Sequence, residues 1–252
     1  MNFKEKLSKK IKANNSLLCV GLDIDEDKIS NSSLFEFNER IIDETKDLVC
    51  AYKINMAFYE FFGKKGYELL EKTIDHIPDD IVIIIDGKRN DIGNTAEKYA
   101  KSVFETLKAD ATTVNPYLGS DGIKPFLKFN DKCSFILCRT SNPSAKEFQD
   151  IKSNNKPLYE KVAEKIREWN KIGCCGAVVG ATYPEELKKI REILGDDIPI
   201  LLPGIGKQGG DLEKSVKYGG ENTIIVSARS IIYAKNPREE ALKLRDEINK
   251  FR

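Results

Sequence analysis

Hydrophobic and polar positions follow two spacings that alternate along the chain. Short apolar runs rich in Val and Ile are separated by longer stretches with apolar residues at helical spacing. The short runs predict strands at residues 17–23, 51–55, 81–86, 111–115, 134–137, 176–179, 199–202 and 222–227. The longer stretches predict helices at residues 34–49, 66–75, 95–108, 122–129, 158–171, 184–194, 212–218 and 237–251. Regular alternation of strands and helices favours a parallel sheet with helices outside it.

The number of strand-helix units decides between the two parallel architectures. Eight units in a chain of 252 residues match a closed (β/α)8 TIM barrel, a fold of about 250 residues. An open doubly wound sheet is the alternative. Because no Pro/Gly/Ser-rich linker or shift of composition divides the chain, we predict a single domain over residues 1–252. Residues 141–157 are the least regular stretch and predict a long loop over one end of the sheet.

Charged residues follow three neighbouring predicted strands. Side chains alternate between the two faces of a strand, and the face towards the helices must be apolar. This rule directs Asp86 and Lys88 into the barrel mouth, together with Lys53 and Asp23 from the two preceding strands. Each charge alone is typical of a solvated turn, but buried together they must pair with one another. A lysine between carboxylates keeps its proton, which disfavours a Schiff-base role and favours proton donation.

Asp91 lies beyond the end of the third predicted strand. Three residues of loop carry it away from Asp86 and Lys88. We consider two interpretations: Asp91 caps its own helix, or it reaches the pocket of a neighbouring subunit.

Polar loops follow other predicted strands. Residues 203–211 are rich in glycine and predict close approach of backbone amides to an anion, as in the phosphate sites of barrels. Arg229 follows the eighth strand, where it can hold the same phosphate. Ser141 and Asn142 follow the fifth strand and can read a polar heterocycle. Asn115, after the fourth strand, has a similar binding role or closes a turn.

Composition excludes several classes of function. Lys and Arg number 41 against 40 Asp and Glu, so a charge of +1 gives no basic footprint for nucleic acid or a membrane surface. The one histidine, His76, leaves no Ser-His-Asp triad and no multi-histidine zinc site. Six cysteines without CxxC spacing predict reduced, buried thiols. The absence of an apolar leader or spanning run predicts a cytoplasmic protein.

The spacing of the acids and the lysine resembles a known family. Asp86, Lys88 and Asp91 form the pattern Asp-x-Lys-x-x-Asp at the end of the third strand. The pattern resembles orotidine 5'-phosphate decarboxylase, and residues 140–143 and 115–119 resemble its longer monofunctional subgroup. The resemblance implies decarboxylation of orotidine 5'-phosphate to uridine 5'-phosphate (UMP) in de novo pyrimidine biosynthesis, by a lyase that uses no metal and no organic cofactor.

The resemblance also implies roles for individual residues. Lys88 would protonate carbon 6 of the pyrimidine, Asp86 would lie beside the departing carboxylate, and Lys53 and Asp23 would contact the ribose. The resemblance also implies a homodimer, in which each subunit donates Asp91, Ile92 and Thr95 to the active site of its partner. The pyrimidine would be recognised by Ser141, with Asn115 and Asn142 also binding substrate. The implied phosphate site consists of Gln208, Gly209, Ala228 and Arg229.

Three rival functions remain at this point. A magnesium-dependent sugar-phosphate synthase or decarboxylase of the same barrel superfamily would need a glutamate where this chain has Lys53. A Schiff-base aldolase would need a neutral lysine. A non-catalytic barrel that senses a phosphorylated metabolite would need the phosphate site but no proton donor.

Overall fold

The first and last strands of the sheet pair with each other, which closes the sheet into a barrel. The computed structural model describes residues 1–29, 32–205 and 211–252. Across these residues eight parallel strands form a closed barrel. They are β1 (Leu18–Gly21), β2 (Ala51–Asn55), β3 (Val82–Arg89), β4 (Ala111–Val114), β5 (Cys133–Arg139), β6 (Cys175–Val179), β7 (Ile200–Pro203) and β8 (Thr223–Ser227).

The register confirms the barrel and excludes the open sheet. Cys19 of β1 lies opposite Ala51 of β2 on one side and Val226 of β8 on the other. The interior is packed with β-branched and aliphatic side chains, which suit a buried parallel strand. The third strand runs to Arg89, three residues beyond its predicted end at Asp86.

Helices surround the barrel and follow the predicted order. They are α1 (Phe3–Asn14), α2 (Leu34–Thr45), α3 (Ala57–Glu60), α4 (Lys64–His76), α5 (Gly93–Lys101), α6 (Ser120–Leu127), α7 (Lys146–Gln149), α8 (Leu158–Trp169), α9 (Pro184–Leu194), α10 (Leu212–Gly219), α11 (Arg229–Ile232) and α12 (Pro237–Asn249). A turn of π-helix, Ser102–Thr106, continues α5. Local sequence sets several starts: Ser33 and Glu36 form a capping box at α2, and Asn236 caps α12.

The first helix lies across the N-terminal end of the barrel and was not among the predicted elements. The ring of Phe3 packs edge-on against Phe135 of β5 with 5.8 Å between centroids. Lys6 Nζ donates to Asp110 Oδ2 at 2.7 Å, just before β4. The same oxygen, Asp110 Oδ2, also accepts the backbone amide of Ile83 in β3 at 2.9 Å. Helix α1 therefore covers the end opposite to the one where barrel chemistry is found.

The segment between β5 and α8 is more ordered than the predicted loop. It contains a 3-10 turn (Pro143–Ala145), helix α7, and a short antiparallel pairing of Lys152–Ser153 with Lys156–Pro157. The hydrogen bonds of these elements give the segment a defined shape over the C-terminal end of β5.

Two further findings concern the whole chain. Over the described ranges, every helix is too short or too polar to cross a bilayer. All six cysteines are free thiols, as predicted, and five of them are buried, whereas Cys174 is half-buried.

Candidate active site

A cavity opens at the C-terminal ends of the strands. Its volume is about 480 Å³, and each of the eight strands, or a residue within two positions of its C-terminal end, contributes to the wall. The polar part of the wall consists of Asp23, Lys53, Asn55, Asp86, Lys88, Thr113, Thr140, Ser141, Asn142, Ser227, Arg229 and Ser230. The apolar floor includes Leu137, Val178, Leu201 and Val226 from the barrel interior. The polar groups thus converge above the apolar interior of the barrel, as polar groups do in enzyme pockets generally.

Four charged side chains, three in β2 and β3 and one just after β1, form one network at the cavity wall. Lys53 Nζ lies 3.1 Å from Asp86 Oδ2 and 3.5 Å from Asp23 Oδ1. Lys88 Nζ donates to the other oxygen of Asp86, Oδ1, at 2.7 Å. Acids and lysines therefore alternate in the order Asp23, Lys53, Asp86, Lys88. The period-two rule predicted this convergence correctly.

Burial and pairing set the protonation of this network. Burial by itself would lower the pKa of Lys53, but the carboxylates of Asp23 and Asp86 outweigh it and raise that pKa above its ordinary value. Burial would raise the pKa of Asp86, but Lys53 and Lys88, with hydrogen bonds from Lys88 and Thr113, lower it to about 2. At neutral pH Asp86 is therefore a carboxylate beside two ammonium groups.

Lys88 combines exposure with an unusual backbone. Its side chain is 48% exposed, whereas that of Lys53 is 7% exposed. Lys88 has φ +47°, in the left-handed region that residues other than glycine rarely adopt. The chain holds this conformation at the cavity mouth, where the ammonium faces the space available to a ligand.

Ser141 and Asn142 line the cavity, as the sequence predicted. Ser141 lies so close to Gly180, at the end of β6, that a Cβ on the glycine would approach the Ser141 Cβ and amide nitrogen to 2.8 Å. Glycine is required there because any side chain would displace Ser141. Two hydrogen bonds with Gln149 of α7 hold Thr140, the residue before Ser141. Gln149 Oε1 accepts the Thr140 amide at 2.9 Å, and Gln149 Nε2 donates to Thr140 Oγ1 at 2.8 Å.

The phosphate end of the predicted site is partly described. Ala228 and Arg229 line the cavity after β8, and in the described ranges Arg229 has no ion pair with a carboxylate. A Cβ on Gly21 would lie 2.8 Å from the Cβ of Ala228, so the ends of β1 and β8 approach closely here. Gln208 and Gly209, the other two predicted phosphate residues, fall in 206–210, outside the described residues.

Four predicted residues do not line this cavity. Asp91 Oδ1 accepts the amide of Ile92 at 2.8 Å, and α5 begins at Gly93 without a side-chain cap, so Asp91 does not cap its own helix. Ile92 is 52% exposed and Thr95 is exposed on the same surface. Asn115 accepts the Tyr117 amide at 3.0 Å and closes a 3-10 turn. Asn115 therefore has the turn role that the sequence left open, and β4 ends one residue earlier, at Val114; its binding role stays a prediction.

Known proteins resemble this chain over its full length. The model of the "Orotidine 5'-phosphate decarboxylase / HUMPS family" matches residues 16–244. An orotidine 5'-phosphate decarboxylase from Dehalococcoides mccartyi is 45% identical over 268 residues, covering 100% of this chain and 99% of the relative. Another from Ralstonia pickettii is 44% identical over 273 residues, covering 100% of both. This chain belongs to the orotidine 5'-phosphate decarboxylase family.

A solved structure extends the family likeness to the fold. The OMP decarboxylase of Leishmania donovani superposes with a TM-score of 0.91 at 38% identity, covering 100% of this chain and 98% of that one. The match includes the barrel and the segments between its strands. The family resemblance seen in Asp86, Lys88 and Asp91 is therefore confirmed over the whole chain.

Several residues in or behind the site were missed as candidate site residues, among them Asn55, Thr113 and Arg139. Asn55 and Thr113 line the cavity, and both could have been found by extending the period-two rule along β2 and β4. Arg139 could not. Arg139 lies two residues after Leu137, which faces the cavity, so simple alternation would turn Arg139 into the cavity as well. The pairing of β5 with β6 shifts register between these two residues, and Arg139 is absent from the cavity wall.

Arg139 is a buried cation behind the site. It is 1% exposed, its Nη1 lies 2.8 Å from Asp150 Oδ1, and its guanidinium lies 4.0 Å from the centroid of the Tyr183 ring. A buried charge needs such partners. Asp150 follows α7, so the ion pair ties the segment over β5 to the barrel, next to Thr140 and Ser141.

Proposed function

We propose that this chain decarboxylates orotidine 5'-phosphate to UMP in pyrimidine biosynthesis. Family membership with relatives of 45% identity supports this activity. The observation that carries it is the placement of the Asp86 carboxylate between two ammonium groups at the cavity wall, 3.1 Å from Lys53 and 2.7 Å from Lys88. Fixed charges of this kind favour a transition state in which negative charge develops on carbon.

Lys88 is the proposed proton donor. When the bond between carbon 6 and the carboxylate breaks, carbon dioxide leaves and the bonding electron pair stays on carbon 6. That pair takes a proton from Lys88 Nζ, and solvent returns the proton to the half-exposed amine. The network supports this role because Asp86 keeps the ammonium oriented at 2.7 Å. Asp86 would also face the departing carboxylate, and departure relieves the repulsion between them.

The remaining polar wall divides into three proposed contacts. Asp23 and Lys53 would bind the ribose hydroxyls, because both side chains reach the cavity beside Asp86. Ser141 and Asn142 would recognise the pyrimidine. Arg229, with the backbone near Ala228, would hold the phosphate, as would Gln208 and Gly209. Binding energy from the phosphate can then stabilise the transition state at a distance.

We also propose a homodimer with shared sites. Asp91 does not line the cavity of its own chain and does not cap its own helix. Ile92 exposes 52% of its surface and lies next to Thr95 on the start of α5. Donation of Asp91, Ile92 and Thr95 to the partner's cavity would bury this apolar surface and complete the family pattern.

We also propose a cytoplasmic location, which accords with the six free thiols of the chain.

The donor set argues against the magnesium-dependent activities of the wider family. The Lys53 ammonium lies between Asp23 and Asp86, in the space where a divalent cation would need these oxygens. The same ion pairs raise the pKa of Lys53, which disfavours an aldolase that needs a neutral amine.

The test is the loss of ultraviolet absorbance on adding orotidine 5'-phosphate to the purified protein. We expect turnover that persists in EDTA and disappears in Lys88→Ala. The matched control is Lys98→Ala, which removes a lysine of α5 that is absent from the cavity wall. No absorbance change with folded wild-type protein refutes the activity. Loss in EDTA that magnesium restores would favour the metal-dependent rival.

A further inference from the structure

One buried hydroxyl contacts both functional residues of β3. Thr113 Oγ1 donates to Asp86 Oδ1 at 2.7 Å and accepts the backbone amide of Lys88 at 2.9 Å. A hydroxyl carries one hydrogen and two lone pairs, so both bonds form at the same time. Thr113 is 1% exposed, and its position on β4 places the hydroxyl at the inner wall of the cavity, against Asp86 and Lys88.

The backbone of β3 explains why the Lys88 amide needs a side-chain acceptor. Ile85 pairs with Thr112, but the next pair joins Arg89 to Val114, so the ladder is irregular in between. Lys88 lies in this irregular stretch with φ +47°, a conformation that is strained in a residue other than glycine. Its amide points to the Thr113 hydroxyl. The hydroxyl thus holds the turn in the conformation that presents the lysine.

The same hydroxyl also completes the bonding of Asp86. Oδ1 accepts from Lys88 Nζ and from Thr113, while Oδ2 accepts from Lys53. Two of the donors are flexible lysines, whereas Thr113 is a short side chain on a buried strand. The hydroxyl is therefore the stiffest of the three restraints on the carboxylate.

We infer that Thr113 is a positioning residue for the reaction: its hydroxyl fixes the distance between the Asp86 carboxylate and Lys88. This inference rests on the proposed function. Thr113 acts through Lys88 and Asp86, so its loss should reduce the rate of the chemical step and leave substrate affinity almost unchanged. Misplacing a reacting group by about 1 Å can reduce a rate by roughly 100-fold.

Two matched pairs of variants isolate the oxygen atom. Thr113→Val replaces the hydroxyl by a methyl group at constant shape, and Thr113→Ala differs from Thr113→Ser by the oxygen alone. The control is Thr112→Val on the same strand, where the buried hydroxyl donates to the Ile85 carbonyl at 2.9 Å and is absent from the cavity wall. Each protein is assayed for kcat and KM with orotidine 5'-phosphate, for UMP affinity, and for thermal stability.

We expect kcat to fall by about 100-fold in Thr113→Val, with KM and the UMP Kd within about threefold of wild type. Thr113→Ser should retain most of the wild-type kcat, and Thr113→Ala should fall below Thr113→Ser by a similar factor. Thr112→Val should lose thermal stability but keep kcat. If Thr113→Val does not fold, the Ser and Ala variants alone decide the question.

Two results overturn the inference. One is kcat within about threefold between the members of each pair, since a hydroxyl that positions the reacting groups must affect the rate. The other is a rise in KM and UMP Kd without loss of kcat, which would make Thr113 a direct binding residue.

The rate of hydrogen exchange at the Lys88 amide tests the positioning role without an activity assay. Exchange should be slow with Thr or Ser at position 113 and faster with Val or Ala, so the positioning role can be judged even if wild-type protein fails to decarboxylate the substrate.

Discussion

Asp86→Asn removes the negative charge that lies between two lysines while keeping the shape of the side chain. In the native protein Asp86 is 8% exposed and accepts from Lys53, Lys88 and Thr113. An amide offers one oxygen in place of two and carries no charge. The substitution leaves two ammonium groups without the carboxylate between them, which is among the more destabilising changes available in a protein interior.

The pKa of Asp86 gives the magnitude. Its lowering from 3.8 to about 2 corresponds to about 2 kcal/mol of unfolding free energy, at 1.36 kcal/mol for each pH unit. The sign follows from linkage. A carboxylate with a lowered pKa in the folded state stabilises the protein fully above its ordinary pKa. This contribution is lost as the pH falls from about 5 through the folded pKa near 2.

We therefore expect the stability difference between wild type and Asp86→Asn to shrink by about 2 kcal/mol between pH 5 and pH 2. The assay is equilibrium unfolding in urea, followed by the fluorescence of Trp169, the single tryptophan of the chain. Subunit concentration is kept constant because assembly affects apparent stability. Asp75→Asn, at an exposed acid of α4 outside the cavity wall, is the control and should follow wild type at every pH.

A constant difference between wild type and Asp86→Asn over this pH range would refute the reasoning. It would mean that Asp86 titrates alike in the folded and unfolded states. The two lysines would then not lower its pKa, and the charge network would not exist in solution.

Three further predictions concern the dimer, the phosphate and the segment over β5. Mixing Asp91→Ala with Lys88→Ala subunits should restore about a quarter of wild-type activity, because half of the dimers are mixed and each holds one intact site; no recovery in isolated heterodimers would exclude donation of Asp91. Arg229→Ala should lower kcat/KM by roughly 10- to 100-fold through loss of a charge-assisted contact with phosphate, and unchanged kinetics would remove Arg229 from the site. Arg139→Met should lower the unfolding free energy by about 2 kcal/mol, less than for a fully buried pair because Asp150 is 42% exposed, with a rise in KM if Ser141 shifts. Urea unfolding and steady-state kinetics check it, and equal stability would show that the ion pair is immaterial.

The barrel and its charge network could be predicted from the sequence because both depend on local periodicity. Alternation along β2 and β3 directs Lys53 and Asp86 to one cavity without any knowledge of distant contacts. Asn115 shows the limit of that rule, since its direction depends on whether the strand reaches it, and β4 stops at Val114. Arg139 shows a second limit, because an irregular register with β6 reverses a side chain that alternation alone would turn inward.

Other parts of the molecule depend on contacts that no local pattern contains. The helix at Phe3–Asn14 precedes the first strand and has no place in the strand-helix count, although its contacts with Phe135 and Asp110 cover the barrel floor. The role of Asp91 requires a second chain. Alternation along β4 could have placed Thr113 at the cavity, but its hydrogen bonds to Asp86 and to the Lys88 amide follow from no local pattern.

The left-handed backbone of Lys88 has a consequence for how this protein can be changed. Selection for thermal stability alone would favour glycine at position 88, because glycine adopts φ +47° without the cost that lysine bears. The same replacement would remove the ammonium from the cavity. A library screened only for heat resistance should therefore become enriched in inactive barrels at this position, and a screen for activity should keep the less stable residue.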